Sequence, residues 1–403
     1  MSIVFLTPTG QSGGAEAALV EILAGLRESH PSWSLELIVA SDGPLVSGAQ
    51  ALGIPVQVVP FPPSLAQLGD WNVGPGVWSR AAFLARCAGS AWPAARYLRR
   101  LRRLLRDRDP EVIHTNGFKM HVLGAWARPR GTAVLWHVHD YATRRALMGK
   151  LLRFSRHRCS AAVANSRSVA DDVTALCGGE LPVHPVWNAV DLARYAPDGP
   201  RVDLDALSGL PHRDDVVRVG LVATFARWKG HRTFLAALAK LPASANVRGY
   251  IIGGPVYATS GSQVTLDELR HEALALGLSD RIGFTGVVSD SSTAMRALDV
   301  VVHASTDPEP FGLVIAEAMA CGKPVVTSAA GGARELTEPG VNALVHAPGD
   351  ADGLARAIHT LAVNSALRAR MGRAGRAAAE RSFTRTRLVN DLTPIYERLA
   401  SAN

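Results

Sequence analysis

The chain has 403 residues, 47% of them apolar and 19% charged, with a formal net charge of +8. A single core stops growing at about 250 to 300 residues, so this length implies two domains, and the composition excludes a disordered or fibrous chain. No apolar run reaches the roughly 18 residues that a membrane span needs, and no basic segment precedes Met1-Ser2-Ile3-Val4-Phe5-Leu6, so a cytoplasmic protein is expected.

Short β-branched runs open the chain at residues 3–6, 35–40, 56–59, 112–114, 134–137 and 161–164, each followed by a helical pattern. This alternation predicts parallel strands joined by crossover helices. The first strand leads into Thr7-Pro8-Thr9-Gly10-Gln11-Ser12-Gly13-Gly14-Ala15-Glu16. Gly13 and Gly14 suit a backbone that approaches phosphate at a helix N-terminus, or simply a tight strand-to-helix turn. The spacing is not the G-x-G-x-x-G of a dinucleotide-binding enzyme, which disfavours an NAD-linked dehydrogenase.

Arg96, Arg99, Arg100, Arg102, Arg103, Arg106 and Arg108 crowd one predicted helix around a stripe of Leu98, Leu101, Leu104 and Leu105. A solvated arginine face is the plain reading; a peripheral contact with anionic membrane, or with a phosphorylated acceptor, is the sharper one. A second basic stretch carries Arg144, Arg145, Lys150, Arg153, Arg156 and Arg158. No nucleic-acid motif accompanies either, so nucleic acid is not expected as a partner. Trp136-His137-Val138-His139-Asp140 closes a strand, with one histidine expected on each face. His139 suits a hydrogen bond to a substrate hydroxyl, oriented by Asp140 or a backbone carbonyl, whereas His137 reads as structural. Cys87, Cys159, Cys177 and Cys321 have no metal-ligand spacing and read as reduced thiols.

After Asn188-Ala189-Val190-Asp191 comes a polar passage at 196–215, read as the interdomain linker. Strands are then expected at 217–223, 247–252, 282–285, 300–303 and 325–327, and helices from about residue 350 to 400. Phe225-Ala226-Arg227-Trp228-Lys229-Gly230 follows the first of these strands; Arg227 and Lys229 there suit phosphate, or plain surface solvation. The densest signal is Asp307-Pro308-Glu309-Pro310-Phe311-Gly312-Leu313-Val314-Ile315-Ala316-Glu317, followed by Gly322 and Pro324. The prolines hold Glu309 in an extended loop, Phe311 and Gly312 turn the chain into a helix over 313–320, and Gly322 stops it. Glu317 falls inside an otherwise apolar helix, where a carboxylate needs a hydroxyl or cationic partner. Asp203-Leu204-Asp205 and Asp107-Arg108-Asp109 fit a D-x-D pattern but read as coincidence at their positions.

With Gly13-Gly14-Ala15-Glu16, His139-Asp140, Asn188-Ala189-Val190-Asp191, Arg227-Trp228-Lys229-Gly230, Glu309 through Glu317 and Gly331-Gly332-Ala333-Arg334-Glu335 in this order, the chain resembles a retaining nucleotide-sugar glycosyltransferase of family 4. The resemblance implies the GT-B fold: two Rossmann-like, doubly wound α/β domains facing a central cleft. Residues 1–196 would form the acceptor-side domain, 197–381 the nucleotide-sugar domain, and 382–403 a C-terminal helix crossing back to the first. Glu309 would hold the donor sugar together with backbone N–H groups of Phe311, Gly312 and Leu313, and Glu317 the ribose. Arg227 and Lys229 would grip the diphosphate, the Gly13 and Gly14 loop would face it, and His139 would touch the transferred sugar. Many members carry an arginine where this chain has Thr224.

The activity implied is transfer of a hexose or N-acetylhexosamine from a nucleotide-diphosphate sugar, UDP-linked by family frequency, to a hydroxyl of a small-molecule, glycan or lipid-linked acceptor. No cofactor and no metal are expected; the donor is a co-substrate. The alternatives are a sugar-nucleotide enzyme of the same fold with other chemistry, an epimerase or phosphorylase, and a non-catalytic sugar-nucleotide-binding protein.

Overall fold

The computed structural model describes residues 1–11, 13–66, 77–255 and 262–402, and only the backbone of 77–88, 90 and 243. The Cys87 side chain therefore lies outside the described residues; among those described, Cys159, Cys177 and Cys321 are free thiols. The chain divides into two units: Met1–Ala189 with Arg385–Asn403, and Val190–Thr384.

Seven parallel strands build the first unit: β1 (Ser2–Thr7), β2 (Ser34–Val39), β3 (Val56–Val58), β4 (Val112–Asn116), β5 (Ala133–Val138), β6 (Ala161–Ala164) and β7 (Val183–Pro185), in the order β3-β2-β1-β4-β5-β6-β7. β4 and β5 are buried along their whole length, as strands covered by helices on both faces must be. Side-chain alternation divides the core between the two faces. Leu6, Ile113 and Trp136 pack on one with Leu101 and Leu105, while Phe5, Leu135 and Val163 pack on the other.

That second face is completed from the far end of the sequence. Leu388, Val389, Leu392, Ile395, Tyr396 and Leu399 of the Arg385–Ser401 helix join the same apolar cluster as Leu19, Ile22 and Leu23 of the Gly14–Ser29 helix. Gly25 makes the approach possible, because a Cβ there would stand 2.5 Å from Val389 Cγ2. Arg387 donates to the carbonyls of Trp187 (2.7 Å) and Asn188 (3.1 Å) and fixes the helix at its start.

The second unit repeats the plan with β8 (Val217–Val222), β9 (Val247–Ile252), β10 (Ile282–Gly286), β11 (Val300–His303), β12 (Val325–Thr327) and β13 (Ala343–Val345), ordered β10-β9-β8-β11-β12-β13. In each unit the strand order reverses beside the first strand, between β1 and β4 and between β8 and β11, which is where doubly wound sheets take ligands.

Two strands are additional to those expected, β7 and β13, both three-residue edge strands. The passage read as a linker belongs to the second unit and carries the Leu204–Ser208 helix. Within it Asp205, 1% exposed, accepts from Arg248 Nη1 (2.6 Å) and Tyr250 Oη (2.5 Å), so half of one D-x-D match is a core ion pair. Burial works against its charge, but these hydrogen bonds outweigh it and bring the carboxyl down to about 2.

The arginine helix is longer than expected, Val77–Arg108, with Pro93 inside it. Tyr97, Leu101 and Leu105 are buried, Leu98 and Leu104 partly so, and Arg96, Arg99, Arg100, Arg102, Arg103 and Arg106 are exposed. Among the described residues no helix is long and apolar enough to cross a membrane.

Candidate functional site

In the second unit β11 and β12 end in register at His303 and Thr327, and the chain leaves both at the carboxyl edge of the sheet. His303 Nδ1 lies 3.0 Å from Thr327 Oγ1, and its Nε2 lies 3.0 Å from Glu309 Oε2. Ser305 donates to the same oxygen at 2.9 Å. Lys229 Nζ spans both carboxylate oxygens, at 2.9 and 2.8 Å. An ionised carboxylate can only accept, so Nε2 of His303 carries a proton.

The turn that delivers Lys229 depends on Gly230. Its φ is +76°, and a Cβ would fall 1.8 Å from the carbonyl oxygen of Ala304, next to His303. Thr306 N donates to Trp228 O at 2.7 Å and ties the same turn to the loop after β11. The Glu309 backbone is braced from the other side, with Glu309 N to Ala330 O at 3.2 Å and Gly332 N to Glu309 O at 2.7 Å. This is the part played by the Gly331-Gly332 segment. Burial alone would raise the Glu309 carboxyl, yet the Lys229 ammonium and the His303 hydrogen bond outweigh it and hold the group well below the usual carboxylate range.

Three residues on, Gly312 adopts φ 95°, ψ 59° and caps the Leu313–Ala320 helix. Only glycine takes this conformation without strain, so the turn from the Glu309 loop into the helix is local in origin. Intrahelical bonding starts with Ile315 N and Ala316 N on Gly312 O, at 2.9 and 3.4 Å. The N–H groups of the residues before them belong to the helix end that attracts anions.

Glu317 has the partner that its burial demands: the Tyr195 hydroxyl. Burial raises its pKa, against the pull of Tyr195 and of the Arg194 guanidinium. Both partners are held in turn, Tyr195 Oη at 2.7 Å from Ser291 Oγ and Arg194 on Asp290 at 3.0 Å. Arg227 and Lys229, expected as a pair, have different partners. Lys229 serves Glu309, whereas Arg227 is exposed and 3.7 Å from Glu268.

In the first unit Gly13 is extended, φ −142°, ψ 179°, a conformation open to any residue, and Gly14 begins the helix. At Gly10, earlier in the same loop, a Cβ would meet Ser41 O at 2.4 Å. Asp140 does not orient His139. It pairs with Arg145 at 3.0 Å and accepts from Tyr141 N at 2.8 Å.

Nor do His137 and His139 point to opposite faces. Their ring centroids are 4.0 Å apart, as residues two apart on a strand must be, since they share a face. Behind them stand His114 on β4 and His121, and burial pushes all four pKa values down, those of His114 and His139 to about 3. Both ring nitrogens of His139 and Nε2 of His137 are buried without a hydrogen-bond partner within the protein.

His303, Ser305, Thr327, Arg194, Tyr195 and Tyr396 are additional to the residues expected from sequence. His303 had a signal, being the last residue of an expected strand; Tyr195 stood just before a passage taken for a linker.

Two doubly wound parallel α/β units, one of them carrying a caged carboxylate before a helix N-terminus, define the GT-B class of sugar-transferring folds. Residues 12–194 match the model described as "Glycosyltransferase Family 4" and residues 208–378 that described as "Glycosyl transferases group 1". The lipopolysaccharide core biosynthesis glycosyltransferase LpsE of Rhizobium meliloti is 30% identical over 277 residues, 66% of this chain and 73% of that protein. The chain belongs to the family 4, group 1 glycosyltransferases.

A D-inositol 3-phosphate glycosyltransferase of Xylanimonas cellulosilytica is 34% identical over 233 residues, 55% of this chain and 53% of that relative. Among solved structures, Anabaena HepE in complex with UDP and glucose is similar with a TM-score of 0.75 at 28% identity, over 99% of both chains. The sucrose-phosphate synthase of Thermosynechococcus elongatus shares the fold, with a TM-score of 0.77 at 19% identity over the whole of both chains.

Proposed function

We propose that this protein is a retaining, metal-independent glycosyltransferase that moves a hexose or N-acetylhexosamine from a UDP-sugar to a hydroxyl of a small-molecule, glycan or lipid-linked acceptor. The observation that carries this reading is Glu309, kept ionised between Lys229, His303 and Ser305 immediately before the Leu313–Ala320 helix. A carboxylate so held is a fixed acceptor for sugar hydroxyls. The helix end beside it and the Lys229 ammonium favour a leaving diphosphate. Glu317, one turn further on and capable of accepting from two hydroxyls at once, takes the ribose.

In the first unit His139 takes a hydroxyl of the transferred sugar, and the Gly13 and Gly14 loop faces the diphosphate. Displacement occurs on the front face: the diphosphate leaves, positive charge builds at the anomeric carbon, and the acceptor hydroxyl bonds to the same face. Its proton passes to the leaving phosphate oxygen, so no side-chain base is required. The similarity to a structure holding UDP and glucose supports the choice of donor.

The exposed arginine face of the Val77–Arg108 helix, with Arg99 5.2 Å over the ring of Trp92, supports peripheral contact with anionic lipid. The reaction is tested by UDP release from a panel of UDP-sugars, with and without simple polyol and glycan acceptors. Acceptor-dependent release with an α-linked product from an α-linked donor is expected. Release from none of the donors, or inversion, overturns the reading.

A further inference from the structure

Two of the histidines grouped with His139 are linked to one another. Tyr396, contributed by the C-terminal helix, places its hydroxyl 2.7 Å from His114 Nδ1, and His114 Nε2 lies 3.3 Å from His137 Nδ1. His137 in turn packs its ring against that of His139 at 4.0 Å. Tyr396, His114 and His137 are each 1% exposed or less. A neutral imidazole has one donor and one acceptor nitrogen, so the state of each link dictates that of the next.

A phenol is a stronger donor than an imidazole N–H, and an imidazole nitrogen a stronger acceptor than a phenol oxygen. The chain therefore runs one way: Tyr396 Oη–H donates to His114 Nδ1, and His114 Nε2–H donates to His137 Nδ1. The remaining proton of His137 must then sit on Nε2, the nitrogen that has no hydrogen-bond partner within the protein.

We propose that Tyr396 and His114 are positioning residues that hold His137 in its Nε2–H tautomer, so that a histidine read from sequence as structural fixes the ring of His139 packed 4.0 Å against it, the residue that meets the sugar hydroxyl. This rests on the reading of the first unit as a sugar-binding partner in glycosyl transfer. The neighbouring histidine does not join the chain. Thr115 gives its hydroxyl proton to Leu135 O at 3.2 Å and so accepts from His121 Nδ1 at 2.7 Å, which leaves His121 Nε2 as an acceptor.

The test is long-range proton–nitrogen NMR on the full chain labelled with 15N-histidine, for the native protein and Tyr396→Phe, alongside steady-state turnover of UDP-glucose. In the native protein His114 and His137 should both be protonated at Nε2. In Tyr396→Phe, which keeps the ring and loses only the donor, His137 should populate both tautomers. kcat should fall about tenfold, the size of one neutral hydrogen bond, with KM for UDP-glucose changed less than about twofold.

An Nδ1-protonated His137 in the native protein, or a His137 tautomer untouched in Tyr396→Phe, overturns the proposal. So does a turnover loss in Tyr396→Phe that appears as KM alone. If the native protein turns over no nucleotide sugar, the functional reading fails while the tautomer measurement still decides the chain of hydrogen bonds.

Discussion

Glu309 shows how much of a site can rest on one side chain. Its charge is balanced by Lys229, and His303 and Ser305 occupy one of its oxygens. Removing the whole side chain therefore does two things at once, because Lys229 loses its counter-ion as the substrate loses its acceptor. Glu309→Gln is the more conservative substitution: it retains an oxygen for Ser305 and the shape of the side chain, although Lys229 still loses its counter-ion. UDP-sugar turnover should fall at least about a hundredfold in Glu309→Gln, on the scale of removing one preorganised electrostatic contact, and the melting temperature should fall as well, because Lys229 loses its counter-ion. Lys229→Met should behave differently, since it strands a buried carboxylate; breaking such a pair costs about 3 to 5 kcal/mol, readable as a fall in urea midpoint. Turnover of Glu309→Gln near the native rate would remove Glu309 from the reaction. Glu317 is the second test at this scale. Its ribose role predicts that Glu317→Ala weakens UDP binding by calorimetry while a saturating donor recovers most of kcat; a loss confined to kcat would place it elsewhere.

The elements that were legible are those with local signals. The Leu313–Ala320 helix begins at Gly312 and ends before Gly322 because left-handed glycines, φ 95° and 67°, fix both of its ends. Strand partners with buried β-branched runs were equally plain, whereas the edge strands Val183–Pro185 and Ala343–Val345, three residues each, have too few positions to display a period. The arginine helix was readable as amphipathic from its leucines. What its charge is for is a question about surfaces. Six arginines on it are exposed, with Trp92 at 67% exposure beside Arg99. Flotation with vesicles containing a third phosphatidylglycerol should recover the protein at low salt. Neutral phosphatidylcholine vesicles should not, and salt should reverse the binding, because the screening length shrinks from about 30 Å at 0.01 M to about 8 Å at 0.15 M. Substituting Arg99, Arg102, Arg103 and Arg106 by Gln should abolish it. Equal recovery with both vesicle types, or none, returns this helix to a solvated face.

Across the whole chain, what stayed illegible depends on residues far apart in sequence. Tyr396 meets His114 across 282 positions and Lys229 meets Glu309 across 80; no periodicity encodes such pairs, so the carboxylate motif was readable but its cage was not. The same long-range packing buries a group of histidines whose titration affects the first unit as a whole. His114 and His139 are pushed down to about 3 and His121 and His137 well below their ordinary value, chiefly by burial. The unfolded chain protonates histidine near about pH 6.5. Above that pH both states are neutral and these rings contribute nothing to the pH dependence. Below it the unfolded state binds protons that the folded state refuses, and stability falls by about 1.4 kcal/mol per pH unit for each ring once pH is well below 6.5. Glu16 acts in the opposite sense, since burial raises it to about 7 and the folded state takes up its proton first. Glu317 is raised as well, but His184, His231 and His346 join the four rings in being lowered, so the depressed histidines outnumber the raised carboxyls and the urea midpoint should drop steadily between pH 6.5 and 5, before ordinary carboxylates titrate. His121→Asn, which keeps a donor for Thr115 and removes one titrating group, should make that slope shallower. A midpoint that is flat across this window, or an unchanged slope in His121→Asn, would mean that these rings accept protons in the folded protein.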